Sequence, residues 1–237
     1  MQLFYNPHIN HILSQFSFNK IESRHIVKVL RKTEGDILYI TDGKGTLFTA
    51  EIVLASDKKC VVQIVSEEKK QKHWDYYLHV VIAPTKNNDR FEWFLEKATE
   101  IGIDEITPIL CKHSERKIIK KDRLEKVLIS AMKQSLKFQL PKFNNLISFS
   151  DFMKQSNDGS LFIAHCEKTT KRSFKEELKP NQKITVFIGP EGDFSTKEIE
   201  TALKNNFSPV SLGNSRLRTE TAGIVAVQSV AFYNESI

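Results

Sequence analysis

Three cysteines are all this chain carries, and Cys60, Cys111 and Cys166 are scattered, odd in number and form no CxxC pair. That excludes a disulfide framework and a zinc knuckle. Cys111 and Cys166 sit in apolar runs and read as small buried hydrophobes rather than nucleophiles. The seven histidines, His8, His11, His25, His73, His79, His113 and His165, show no metal-ligand spacing. No GxGxxG follows a strand, no GxxxxGK[ST] occurs and no GxSxG elbow appears. The ordinary dinucleotide fingerprint, the P-loop and the hydrolase elbow are therefore missing. Hydrolase, kinase and metalloenzyme readings lose their usual anchors. The longest apolar-leaning stretch, Thr221 to Tyr233, is too short and interrupted to span a bilayer. Met1 to Tyr5 shows no basic region followed by a long apolar one, so no signal peptide is expected. A cytoplasmic, reduced protein is the expectation. Internal repeats and low-complexity tracts are also lacking.

What is present is an uneven positive charge. The net charge of +6 is concentrated between Lys112 and Lys142, where ten Lys/Arg face three Asp/Glu. That segment alone carries the whole excess, so the remainder is about neutral. A concentrated basic stretch, with Arg116, Lys133 and Lys137 in it, reads as a phosphate-facing surface for RNA or DNA. The plainer reading is a solvated helix face.

Residues 1–70 read as a small β domain. Gly35-Asp36 and Asp42 to Gly45 are turn signals, and ILYIT (37–41), LFTAEIVLA (47–55) and CVVQIV (60–65) are strand-like. Ser23 to Lys32 reads as a short basic amphipathic helix with Ile26, Val29 and Leu30 inward, leaving His25, Lys28 and Arg31 as candidate RNA contacts. EEKKQK (67–72) reads as a linker. From Trp74 to the C-terminus, residues 74–237, strands alternate with helices. The strands are YYLHVVIA (76–83), EITPIL (105–110), LFIAHC (161–166), ITVFI (184–188) and PVSL (209–212). The helices are Arg90–Ile101, Asp122–Leu136 with Asp122 as its N-cap, Ser195–Asn205 with a Ser195/Glu198 capping box, and Thr221–Asn234. This alternation predicts an α/β domain with a parallel sheet covered on both faces.

Two glycine-bearing turns, each directly after a core-type strand, carry the chemistry. The first is GPEGDFS (189–195), the second LGNSRLRTETA (212–222). In open α/β sheets ligands bind just past the carboxyl ends of strands, so these loops predict one pocket with two walls. Gly189 and Gly192 let the backbone approach a ligand closely, and Pro190 stiffens the turn. Glu191 either accepts hydrogen bonds from a ligand, orients the second loop or merely caps the turn. Gly213 repeats the device, and Arg216 and Arg218 set positive charge beside Thr219, Glu220 and Thr221. Ala222, Gly223 and Ala226 predict a very close approach of another backbone to the last helix. His165 either lines the pocket or is a satisfied core histidine. Lys97 and Glu100, one turn apart, either form a helical ion pair or face RNA.

Four ordered motifs carry a family resemblance: EKATEIGIDEITPI (96–109), SAMKQSLKFQLP (130–141), FIGPEGDFSTKE (187–198) and SLGNSRLRTETA (211–222). With HIVKVLRKTEGD (25–36), they resemble the RsmE family of ribosomal RNA uracil-N3 methyltransferases, of the SPOUT superfamily, over nearly the whole chain. The resemblance implies an N-terminal PUA-like RNA-binding β-barrel and a C-terminal α/β domain threaded into a trefoil knot. It implies a homodimer that uses S-adenosyl-L-methionine to methylate uracil N3 in 16S ribosomal RNA of the small subunit, at uridine 1498 in bacterial numbering. The cofactor would be held by the backbone of Ile188, Gly189, Pro190, Glu191, Gly192, Leu212, Gly213, Leu217, Arg218 and Thr219, with its adenine among Ala164, Leu212, Leu217 and Ala222 and His165 at the pocket wall. Arg218 would stabilise charge on the uracil oxygens, with Glu220 or Glu191 orienting it; the bland alternative is an Arg218–Glu191 salt bridge. His25, Lys28, Arg31, Lys97, Arg116, Lys133 and Lys137 are the RNA candidates. Asp193 stands where the family often has glycine, Arg216 opens a run that is often Ile-Leu-Arg, Lys137 takes a place usually held by arginine, and an N-terminal arginine is missing. A non-catalytic RNA-binding or ribosome-assembly protein, and a knotted methyltransferase for another RNA site, are the competing readings.

Overall fold

The computed structural model describes residues 1–10, 14–167 and 169–235; His11 lies outside them. The chain divides into two compact units, Met1–Lys72 with Met132–Leu140, and His73–Ala131 with Pro141–Ile237.

The first unit holds β1 (Leu3–Tyr5), β2 (Gln15–Ser17), helix α1 (Lys20–Arg24), β3 (Ile37–Thr41), β4 (Thr46–Ala55) and β5 (Cys60–Lys69). Its sheet runs β1-β3-β4-β5-β2, antiparallel except for the parallel β1–β3 pair. Phe4, Ile26, Ile40, Phe48, Ile52 and Val62 fill its core. The β4–β5 hairpin is longer than the sequence suggests: Glu67, Glu68 and Lys69 pair with Phe48, Leu47 and Thr46, so half of the expected linker is strand. Their alternation is masked because the outer half of this ribbon is solvated.

The expected helix over Ser23–Lys32 begins earlier, at Lys20 behind an Asn19 cap, and changes pitch at His25–Val29. There the Leu30 N–H reaches back five residues to the His25 carbonyl, a π-helical turn. The wider turn shifts the phase. Ile26 is buried and Val27 and Leu30 pack on the core, whereas Val29, expected inward, is 67% exposed.

The second unit contains β6 (Tyr77–Ile82), α2 (Asn88–Ile101), β7 (Glu105–Leu110), α3 (Lys121–Gln134), β8 (Lys142–Phe143), β9 (Ile147–Ser148), α4 (Phe149–Phe152), β10 (Ser160–Ala164), β11 (Arg172–Ser173), α5 (Phe174–Glu177), β12 (Lys183–Ile188), α6 (Thr196–Lys204), β13 (Ser208–Ser211) and α7 (Thr219–Glu235). The last turn of α3 belongs to the first unit. Asp122 is inside the first turn of α3 rather than its cap, because the Leu124 N–H already bonds to the Lys120 carbonyl. The sheet runs β11-β13-β10-β12-β6-β7-β8, with β9 against β7, and every pair is parallel. β12 is central and buried beyond its first residue, as an unbroken apolar strand must be when both faces are covered.

Helices α2 and α7 pack together, and the small residue between them is Gly223. What approaches it is not backbone, as expected, but the Phe94 ring and the Ile82 side chain: a Cβ on Gly223 would sit 2.7 Å from Phe94 and 2.9 Å from Ile82. Among the described residues no helix is long and apolar enough to cross a membrane.

Candidate active site

Strand β10 lies between β12 and β13, and all three are parallel, so their carboxyl ends open on one edge of the sheet. Three loops rise there: 165–167 with 169–171 after β10, 189–195 after β12 and 212–218 after β13. The two glycine loops are not on neighbouring strands, so the loop after β10 forms a third wall. A cleft of about 640 Å³ is lined by Ala164, His165, Lys171, Leu212, Gly213 and neighbours. A second hollow of about 400 Å³ adjoins it, lined by Arg90, Ile188 to Asp193, and Arg216 to Thr219. Ala164, Cys166, Asp193, Arg216, Leu217 and Ala222 face both. Every residue expected at the cofactor lines one hollow or the other, whereas Glu220 lines neither.

The glycines of the first loop serve its own packing. A Cβ on Gly192 would meet the His113 Cβ at 2.9 Å, and one on Gly189 would meet the Phe194 ring at 3.0 Å. The Asp193 N–H donates to the Pro190 carbonyl at 2.9 Å, closing a tight turn. The His113 ring nitrogen lies 3.1 Å from both the Gly192 and Asp193 carbonyl oxygens. The Thr219 hydroxyl donates to the Gly189 carbonyl at 3.0 Å and ties the two glycine loops together. Ser195 and Glu198 make the expected capping box.

Asp193 takes φ +61° where glycine would be easiest. Its carboxylate holds it there, accepting the Cys166 N–H at 2.7 Å and the Phe194 N–H at 2.9 Å. This anchors the loop after β10. Gly213 is different: at φ +134°, an added Cβ would meet no protein atom within 4 Å, so its open side belongs to the cleft.

The charges are distributed otherwise than expected. Glu191 accepts the Lys86 N–H at 2.9 Å, and among the described residues no ion pair joins it to Arg218. Glu220, only 7% exposed, is paired with Arg90, whose Nε lies 3.8 Å from Oε1. Neither carboxylate therefore holds Arg218, which reaches the second hollow without an ion-pair partner among the described residues. His165 is not a satisfied core histidine. It is buried, and among the described residues neither ring nitrogen has a hydrogen-bond partner. Burial, then the nearby Lys171 ammonium, push its pKa down and keep the ring neutral. The Lys171 ammonium donates to the His165 and Glu167 carbonyls at 2.7 Å each.

Of the RNA candidates, Lys28 and Arg31 are exposed. His25 lies 3.8 Å from Glu22, and Lys133 lies 3.4 Å from the same residue. Lys97 pairs with Glu96 and Glu100 at 2.8 and 3.0 Å, the helical ion-pair arrangement. Arg116 donates to the Thr85 and Lys86 carbonyls and so braces the segment that holds Glu191. Lys137 is buried. Elsewhere Lys120, Lys121, Arg123 and Lys126 line a separate groove at the start of α3. Sequence reasoning missed Arg90 and Lys171. Arg90 sits far along the chain from the glycine loops, and only the packing of α2 on α7 brings it to them.

The chain matches a family model described as RNA methyltransferase domain over residues 72–231, and a second, RNA methyltransferase PUA domain, over residues 19–65. It is 32% identical over 228 residues to the ribosomal RNA small subunit methyltransferase E of Buchnera aphidicola, covering 92% of this chain and 88% of that protein. Its fold superposes on the crystal structure of a probable rRNA-methyltransferase from Porphyromonas gingivalis with a TM-score of 0.92, at 42% identity, over 100% of this chain and 99% of that one. It also matches a Legionella pneumophila protein crystallised with the cofactor S-adenosylmethionine, with a TM-score of 0.87 at 25% identity, over 98% and 97% of the two chains. The chain belongs to the ribosomal RNA small subunit methyltransferase E family of RNA methyltransferases.

Proposed function

We propose that this protein transfers a methyl group from S-adenosylmethionine to uracil N3 in 16S ribosomal RNA of the small subunit, at the family's uridine 1498, working in the cytoplasm. The carrying observation is the convergence of the three strand-end loops on joined hollows, with Arg218 left without a carboxylate partner among the described residues. The reading includes the trefoil threading of the last segments and a homodimer.

The cleft suits the donor. Its apolar Ala164, Leu212, Leu217 and Ala222 fit an adenine face, the open side of Gly213 leaves room for a nucleoside, and the orphaned His165 ring lacks a polar partner. When bound, S-adenosylmethionine supplies an electrophilic methyl: the carbon–sulfur bond breaks with its electrons left on sulfur as the N3–carbon bond forms, and the N3 proton leaves to water.

The protein's part is positioning and charge. Uracil N3 carries a proton and is a poor nucleophile until it is lost. The charge then developed spreads to the flanking carbonyl oxygens. Arg218, permanently cationic, donates to that charge and favours the deprotonated base. Glu191, fixed on the Lys86 N–H, shapes the wall beside it, and Glu220 acts through Arg90. Lys28 and Arg31 in the first unit, and separately Lys120 and Lys126 in the groove of the second, are the exposed cations offered to phosphates. Lys133 and His25 are held at Glu22 and Lys137 is buried within the first unit, and Lys97 and Arg116 are committed to partners within the second, so these five support each unit's own framework.

Arg218→Ala tests the assignment. It should lower kcat by about a hundredfold or more, the usual cost of one preorganised donor, while calorimetry finds the S-adenosylmethionine Kd within about twofold of wild type. Equal losses of turnover and cofactor affinity would contradict it.

A further inference from the structure

Uracil N3 lies between two carbonyl groups, so the charge exposed by its deprotonation is shared by O2 and O4. One guanidinium on one side meets only half of it. Besides Arg218 and its loop neighbour Arg216, the hollow is lined by an arginine from a different element, Arg90 in the first turn of α2. Its side chain is 42% exposed, although its partner Glu220 is buried. The closest approach is Nε to Oε1 at 3.8 Å, an ion pair beyond hydrogen-bond distance, and no other partner is found for Arg90 among the described residues. Among the described residues its guanidinium makes no hydrogen bond, while the buried Glu220 carboxylate keeps its charge on this side of the hollow. A guanidinium kept near a buried carboxylate with its donors uncommitted is suited to meet a planar oxygen acceptor.

We infer that Arg90 is a catalytic residue, donating to the uracil carbonyl oxygen on the side of N3 opposite Arg218, so that the target base is clamped between two guanidinium groups. This rests on the uracil-N3 reading above. Glu220 is then a positioning residue that orients Arg90. The two cations together make the bound base easier to deprotonate, since each opposite charge nearby favours the ionised form.

The test uses the full-length protein, radiolabelled S-adenosylmethionine and small ribosomal subunits lacking the modification. Arg90→Ala and Arg90→Lys are compared with wild type for kcat across pH, for subunit affinity and for S-adenosylmethionine affinity by calorimetry. Arg90→Ala should lose about a hundredfold in kcat, keep its cofactor Kd within about twofold, and need a higher pH to reach its plateau. Arg90→Lys should recover part of the turnover and part of the pH shift, because it restores charge without the fork. Unchanged kcat would overturn the assignment. So would weaker subunit binding with an unmoved pH profile, which would make Arg90 a phosphate contact. A matching loss of cofactor affinity in both variants would make it only a structural partner of Glu220. Failure of the wild type to place label on uracil N3 would instead defeat the underlying reading.

Discussion

His165 shows how a single side chain can be misjudged from its neighbours in sequence. At the end of an apolar strand it fits a core position, and it is buried there, yet neither ring nitrogen is paired among the described residues. Leaving a buried polar group unsatisfied costs about 1–3 kcal/mol, a cost that a bound ligand can relieve. Replacing His165 by leucine should therefore raise the stability of the free protein by about 1 kcal/mol and weaken S-adenosylmethionine binding. Urea unfolding and calorimetry check the two halves, and a destabilised variant with unchanged affinity would show the ring to be a packing element. Gly192 was legible as a turn residue, but not why: its missing Cβ makes room for His113, which is 79 positions away. Asp193 was visible only as a departure from glycine. Its left-handed backbone and its hold on Cys166 required the loop after β10 to be in place.

The elements were read with uneven success, for physical reasons. β3 and β7 coincide with the predicted 37–41 and 105–110, because apolar alternation or a continuous core run marks them. The two- and three-residue strands β1, β2, β8, β9 and β11 are too short to carry a period and exist through their partners. The π-helical turn after α1 was invisible because side-chain spacing assumes 3.6 residues per turn. The α2–α7 crossing was half legible: the small residues announced a close approach, but not the aromatic ring that makes it. Gly223→Ala should destabilise the fold by about 1–3 kcal/mol, despite alanine's helix preference of about 1 kcal/mol. The 2.7–2.9 Å approaches to Phe94 and Ile82 leave no room for the methyl. Thermal melting would detect this, and an unchanged or raised Tm would mean that Phe94 moves aside without cost.

For the whole molecule, stability must depend on pH at the opposite end of the strands from the cleft. His79 is buried, within 2.7 Å of the Thr107 hydroxyl, and its pKa is pushed down to about 4, chiefly by burial. An unfolded histidine binds its proton near pH 6.5. Between those values the unfolded chain takes up a proton that the folded one refuses, so stability falls as pH drops through this window. The loss between pH 7 and pH 5 should be about 2 kcal/mol, measured by urea unfolding, and His79→Gln should remove most of that slope. An equal slope in both proteins would place the titration elsewhere. The parallel sheet and the site loops were legible because period, turn chemistry and motif order agree along the chain. The order in which the strands assemble was not, since it depends on contacts between distant segments.

The central claim is that these loops deliver a methyl group to one ring nitrogen of ribosomal RNA. The direct measurement is transfer from radiolabelled S-adenosylmethionine to unmodified small ribosomal subunits, followed by nucleoside mass analysis. The account predicts label in N3-methyluridine. Label in another nucleoside, or cofactor binding with no transfer to the subunit, would contradict it.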